Sequence, residues 1–349
     1  MAYDKKKEKD NSALKQLKAD IKSGEIGSFY IFHGEESYLK EHYRDQIISK
    51  LCPPGSEDFS LVRLGENMSR EDLVDAVESF PFGTERKVIL VSDYPILKPT
   101  GDLKEALPDI LADLPGHVCL IFYFDALEFK PDKRLTIWKV IEKHGTVVEF
   151  EKSGQADLIP WIKRRFAAYD KIIDTAECEY MIFICGSLMT NLITEVDKIS
   201  AYADHKNITR GDIDAVASRV LDADVFDMTD CILNGNYEKA LAILRDLFAI
   251  KNPPVAVLGA ITKQMQRLYA AKLAFEARKS EDYLAKLLGY RSSYPARLQM
   301  QGARRMSLRG ARKAVQLCAQ ADLDIKSNIP DSERVVELLL LQLAAEVRA

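Results

Sequence analysis

The chain is 349 residues long, more than one ordinary domain, so two or three domains are expected. Apolar residues make up 47% and charged residues 29%, which fits a folded globular protein and excludes a disordered or fibrous one. The net charge is −4 and the pI about 5.9, so any nucleic-acid contact has to come from a local patch rather than from bulk charge.

In chain order, the N-terminal stretch "MAYDKKKEKDNSALK" is a lysine-rich arm without the apolar segment of a signal peptide. Up to about residue 151, short apolar runs alternate with amphipathic stretches. The runs are "SFYIFHG", "FSLVRLG", "KVILVSDY", "HVCLIFYFDA" and "GTVVEFEK". They are continuously apolar rather than alternating, which predicts a parallel sheet covered on both faces by helices. Between them, "EESYLKEHYRDQIISKL" has helical spacing, and Ser69 with Asp72 forms a capping-box pattern ahead of "LVDAVESF".

Beyond about residue 152 the strand signals stop. "DLIPWIKRRFAAYDKIID", "AECEYMIFICG", "LMTNLITEVDKISAYA" and "ITRGDIDAVASRV" predict a small helical bundle, the last with Thr209 and Asp212 as cap and N3. From 222 onward the chain again reads as helices, with breaks at Asn234–Asn236, at Pro253–Pro254 and across Gly289–Gly302. The expected fold class is therefore α/β plus all-α. It comprises an AAA+-like parallel-sheet domain over 1–151, a helical lid domain over 152–221 and a helical collar domain over 222–349.

The first strand ends as a phosphate-binding loop begins, in "FYIFHGEESYLKEH". Such a loop needs G-x-x-x-x-G-K-[ST], so that backbone N–H groups surround the phosphates, lysine reaches them and a hydroxyl holds magnesium. Gly34 and Lys40 match, but Leu39 stands where the second glycine is needed and Glu41 where the hydroxyl is needed. Glu35 and Glu36 add like-charge repulsion toward a polyphosphate. The strand "VILVSDY" offers Asp93 followed by Tyr94 in place of an Asp-Glu pair. The site has the shape of a nucleotide site without its chemistry, and Lys40 and Asp93 read as surface and helix-capping residues. No cofactor is expected.

The cysteines Cys52, Cys119, Cys178, Cys185, Cys231 and Cys318 include no C-x-x-C pair and several sit in apolar runs, as small buried hydrophobes in a reducing compartment do. The five histidines make no metal spacing, and Met181, Met189, Met265, Met300 and Met306 fall at core-like positions. The C-terminal run "VVELLLLQLAA" is too short and too interrupted to span a bilayer, so a cytoplasmic location is expected.

In order and spacing, "FYIFHGEESYLKE", "SFPFGTERKVILVSD", "NLITEVDKISAYA", "DMTDCILNGNYEKALAILRDLF" and "ADLDIKSNIPDSERVVELLLLQLA" resemble the delta subunit of bacterial DNA polymerase III, the clamp-loader family. The resemblance covers essentially the whole chain. It implies a clamp-loader subunit that binds the sliding clamp (beta subunit) and opens it for loading onto primed DNA without hydrolysing ATP. Its implied partners are the other loader subunits, of gamma/tau and delta-prime type. The chain itself would have no catalytic activity, although it would belong to a DNA-directed DNA polymerase (nucleotidyltransferase) holoenzyme. The family's clamp-binding element maps onto Phe80, Pro81 and Phe82. Phe82 matches the family's aromatic and Pro81 stands where leucine is usual, while Phe80 is the candidate core-facing member. The delta-prime type usually carries a zinc-binding cysteine cluster and a Ser-Arg-Cys motif, and this chain has neither.

From Arg291 to Ala321 there is no acidic residue, and Arg304, Arg305, Arg309 and Arg312 are candidate DNA contacts. The bland alternative is a solvated face that pairs with acidic neighbours. Two other functions compete with the clamp-opening role: a divergent AAA+ ATPase, and a general DNA-binding protein using the 291–313 stretch.

Overall fold

The computed structural model describes residues 2–290, 293–327 and 331–346. They form two compact units, 1–152 and 153–349.

In the first unit, α1 (Ala2–Ser23) precedes β1 (Phe29–His33), α2 (Ser37–Leu51), α3 (Glu57–Ser60), β2 (Leu61–Leu64) and α4 (Arg70–Glu78). There follow β3 (Lys87–Ser92), α5 (Leu103–Ala112), β4 (Val118–Tyr123), α6 (Thr136–His144) and β5 (Thr146–Glu149). The strands form one parallel sheet in the order β2-β3-β4-β1-β5, with Phe29 opposite Leu120 and Tyr30 opposite Thr146. Successive side chains point to opposite faces of a strand, and here both faces are dry. Phe29, Ile31, Ile89, Val91, Leu120 and Phe122 pack under α4, α5 and α6. Tyr30, Phe32, Val88, Leu90, Cys119 and Ile121 pack under α1 and α2 through Leu17, Ile21, Ile47 and Ile48. The continuous apolar runs of the sequence are thus the two faces read alternately. The lysine-rich arm belongs to α1, which reaches this second core at Leu17 and Ile21.

The second unit runs α7 (Gln155–Ala167), β6 (Ile172–Ile173), α8 (Thr175–Cys185), α9 (Met189–Tyr202), β7 (Asn207–Ile208), α10 (Arg210–Val216) and α11 (Leu221–Asn234). It continues with α12 (Tyr237–Ala249), α13 (Pro254–Glu276), α14 (Glu281–Leu287), α15 (Ser293–Ala303), α16 (Leu308–Lys326) and α17 (Ser332–Glu346). Two features correct the sequence reading. Strand structure does not end with the first unit, since β6 and β7 pair in parallel, but two residues each are too few to show a period. And α15 fills much of the stretch that reads as a break. Its buried Ala296, Gln299, Met300 and Ala303 have helical spacing. Gly302 is there for close packing: a Cβ would meet Leu268 at 3.0 Å and Leu233 at 3.2 Å. The other two breaks are real. Gly235 closes α11 in a left-handed turn, and Pro254 occupies the first turn of α13, where its missing N–H costs nothing.

All six cysteines are free, and all but Cys231 are buried. The five methionines named above are buried too. No helix among the described residues is long and apolar enough to cross a membrane.

Candidate functional site

Two groups of sequence-predicted residues lie at opposite ends of the same sheet. Gly34 and Asp93 follow the C-terminal ends of β1 and β3, whereas Phe80–Phe82 precede β3. With about 3.3 Å per strand residue, the two ends are about 20 Å apart.

At the C-terminal end, Gly34 has φ +114°, and a Cβ there would come within 2.5 Å of the Phe150 carbonyl oxygen, so only glycine fits. Lys40 corrects the expectation of a surface residue: it is 1% exposed. Its Nζ donates to the Phe124 carbonyl at 2.7 Å and to Asp125 Oδ1 at 3.1 Å, over the ring of Tyr123. Ser37 Oγ donates to the same Asp125 oxygen at 3.1 Å. These hydrogen bonds, that from Lys40 first, hold the Asp125 carboxyl below its usual range.

Asp93 does not cap a helix. It has a left-handed backbone, φ +53°, and its Oδ1 accepts the main-chain N–H groups of Asp125, Ala126 and Leu127 at 2.9, 3.1 and 2.9 Å. The lysine and aspartate that would serve a nucleotide therefore both grip the loop after β4. Leu39 is partly buried against the core, and Glu41 is exposed. Nothing in this arrangement leaves an ammonium directed at a phosphate.

At the N-terminal end, α4 stops at Ser79, and Phe80–Gly83 turn back toward β3 with Gly83 at φ +78°. Phe80 is 81% exposed and Phe82 74% exposed. This corrects the reading of Phe80 as core-facing. Its ring stacks on His117 at 4.7 Å from outside the core. The ring of Phe82 lies 5.8 Å from that of Phe59, which is itself 61% exposed. At roughly 200 Å² per ring, the three leave about 400 Å² of aromatic surface in water, the Phe59 and Phe82 rings in contact and Phe80 on the same turn, an amount that marks interaction sites.

The base of this tip is rigid. Lys87, 1% exposed, donates its Nζ to the carbonyl and hydroxyl of Ser79, and burial pushes its pKa down. The Arg86 guanidinium donates to the carbonyls of Ile26, Gly27 and Val118. The hydroxyls of Ser60 and Thr84 lie 2.8 Å apart, and Thr84 Oγ1 donates to the Arg86 carbonyl at 2.9 Å. Sequence reasoning missed Phe59, Arg86 and Lys87. Only the neighbouring "ERK" carried a signal, as charges where a loop meets an apolar strand; Arg86 and Lys87 turn inward there and Glu85 stays exposed.

In the second unit the basic residues divide. Arg305 Nη1 pairs with Asp230 at 2.8 Å, and Arg304 stands over the Phe275 ring. Arg309, Arg312 and Lys313 share one face of α16 at i, i+3 and i+4. All three are exposed and without an ion-pair partner among the described residues. Arg291 lies outside the described residues.

Comparison with known proteins joins both units to one family. The model for the DNA polymerase III delta subunit matches residues 30–151, and that for the delta subunit's C-terminal domain matches 222–343. The DNA polymerase III subunit delta of Bacillus subtilis is 24% identical over 332 residues, 93% of this chain and 94% of that protein. The probable DNA polymerase III subunit delta of Aquifex aeolicus is 26% identical over 261 residues, 72% of each chain. A solved structure described as a Bacillus subtilis DNA clamp loader delta protein shares the fold, with a TM-score of 0.53 at 21% identity, over 95% of this chain and 99% of that one.

Proposed function

The chain belongs to the DNA polymerase III delta family, the clamp-loader delta subunits, and from that premise we propose that it binds a sliding clamp through the Phe80–Pro81–Phe82 tip and opens it for loading onto primed DNA, without using ATP itself. One observation carries the reading: two aromatic side chains stand in water on a turn whose base is fixed by buried Lys87 and by Arg86. Exposed aromatics on a stiff support lose little entropy on docking, and anchors of this kind commonly dominate an interface. Phe82 is the primary anchor, Phe80 flanks it, and Pro81 stiffens the turn between them.

The internal ties of Lys40 and Asp93 support a subunit that holds its own loop closed and leaves hydrolysis to others. They count against the divergent ATPase. In the same proposal, residues 152–221 are the lid and 222–349 the collar that joins the gamma/tau and delta-prime type subunits. Arg309 and Arg312 face DNA phosphates, with Arg304 beside them and Arg305 held by Asp230. The location is cytoplasmic.

The test is a titration of the full-length chain with its cognate clamp. Phe82→Ala should weaken binding by about 2–4 kcal/mol, the usual loss for a hot-spot aromatic, with unchanged thermal stability. Wild-type affinity in that variant would remove the tip from the interface.

A further inference from the structure

The tip is not alone at its end of the sheet. Phe59 belongs to α3, some twenty residues before the tip, yet its exposed ring lies against that of Phe82. The Ser60 side chain, next in sequence, is buried and bonded to Thr84, two residues beyond Phe82. Cys52 Sγ donates to the Ser60 carbonyl at 3.2 Å, which fixes α3 from its other side. The two rings are therefore held in register by hydrogen bonds beneath them, while both stay in water. An apolar ring that served the core would be turned inward. This one is placed outward and pinned there.

The exposed charges of the segments that carry the rings have one sign. Within 57–60 and 78–85 the ionisable side chains are Glu57, Asp58, Glu78 and Glu85, all exposed, and none has an ion-pair partner among the described residues. The adjacent Arg86 and Lys87 keep their charge and offset part of this field, but Lys87 is buried and Arg86 half-buried, both turned inward onto main-chain carbonyls and Ser79, so the charges presented to water are the carboxylates. An apolar patch rimmed by four unpaired carboxylates is complementary to an apolar pocket rimmed by lysine or arginine. Such rim charges act mainly on the rate of encounter.

We propose that Phe59 is a third anchor of the clamp contact, and that the surface which receives Phe59 and Phe82 is an apolar pocket with a basic rim. This rests on the clamp-binding reading given above. It adds a residue from a different element and states the chemistry of the partner's pocket.

The experiment measures association and dissociation rates of the full-length chain with the cognate sliding clamp. It compares wild type, Phe59→Ala, Phe82→Ala and the neutral quartet Glu57→Gln, Asp58→Asn, Glu78→Gln and Glu85→Gln. Salt is varied from about 0.1 to about 1 M, where the screening length falls from about 10 to about 3 Å. Phe59→Ala should weaken binding about tenfold, in the dissociation rate, with an unchanged melting temperature. Wild-type association should slow with salt, and the quartet should associate several-fold more slowly and with little salt dependence. Normal binding by Phe59→Ala, with Phe82→Ala still weakened, overturns the third anchor and leaves the tip assignment standing. Indifference to both changes overturns the two together. Faster association by the quartet means an acidic rim and overturns the pocket chemistry. Sedimentation of the chain alone covers the remaining occupant: a dimer that Phe59→Ala abolishes makes a second copy the partner and overturns the proposal.

Discussion

Asp93 shows most directly how the loop after β4 is held. Asp93→Ala removes an oxygen that accepts three main-chain N–H groups, at 2.9, 3.1 and 2.9 Å. Hydrogen bonds to a charged group contribute roughly 1.5–3 kcal/mol each when considered singly. Three sharing one oxygen contribute less than three times that, and the half-buried site lets water replace part of the loss. To this is added the cost of alanine at φ +53°, about 1–2 kcal/mol, where aspartate is better tolerated. The expected loss is about 3 kcal/mol, a fall of roughly 6–12 °C in the melting temperature of a unit this size. Asp93→Asn keeps an acceptor oxygen and tolerates the left-handed backbone, so it should lose only about 1 kcal/mol. Urea and thermal unfolding of the full chain, followed by circular dichroism, measure both. Equal stability of wild type and Asp93→Ala would refute the reasoning, because the carboxylate would then not be holding the loop.

Four further outcomes are expected. Lys40→Met should destabilise by about 1–3 kcal/mol in urea unfolding, since it leaves the buried Phe124 carbonyl without its donor, and it should not alter nucleotide binding. The depressed Asp125 carboxyl contributes stability that is fully present above its unfolded value near 4. That part should fade as pH falls through the lower folded value, and Lys40→Met should flatten this acid limb of a stability–pH profile. Lys251→Gly, at a left-handed helix C-terminus with φ +63°, should raise stability by roughly 0.5–1 kcal/mol; destabilisation in a melting curve would show that the lysine side chain matters there. Neutralising Arg309, Arg312 and Lys313 should weaken primed-DNA binding by the assembled loader and lower the salt slope by about one unit for each phosphate no longer neutralised; an unchanged slope would place DNA elsewhere.

Much of the first unit was legible because burial on both faces writes itself as continuous apolar runs, and each of those runs became a strand. Helix starts were legible where a side chain caps them, as Ser69 with Asp72 and Thr209 with Asp212 do. What escaped depends on partners far apart in sequence. Lys40 looks like a solvated helix residue until residues 84 and 85 positions later supply its carbonyl and carboxylate. Gly302 looks like a breaker until α13 is packed against it. Phe80 looks like core until buried Lys87 fixes Ser79 and the ring is left to stack outward on His117. The tip itself was legible as "FPFG", but the pairing of Phe59 with Phe82 rests on a hydrogen bond across 24 residues that no local pattern reveals.

The proposed clamp-opening role, with Lys40 and Asp93 engaged in holding the loop after β4, needs no nucleotide. It is tested most directly by a clamp labelled across its ring interface with a distance-sensitive fluorophore pair, mixed with this chain alone and no nucleotide. The account predicts that the signal reports opening, that added ATP changes neither its extent nor its midpoint, and that Phe82→Ala abolishes it. A ring that opens only when ATP is added to this chain alone would contradict it.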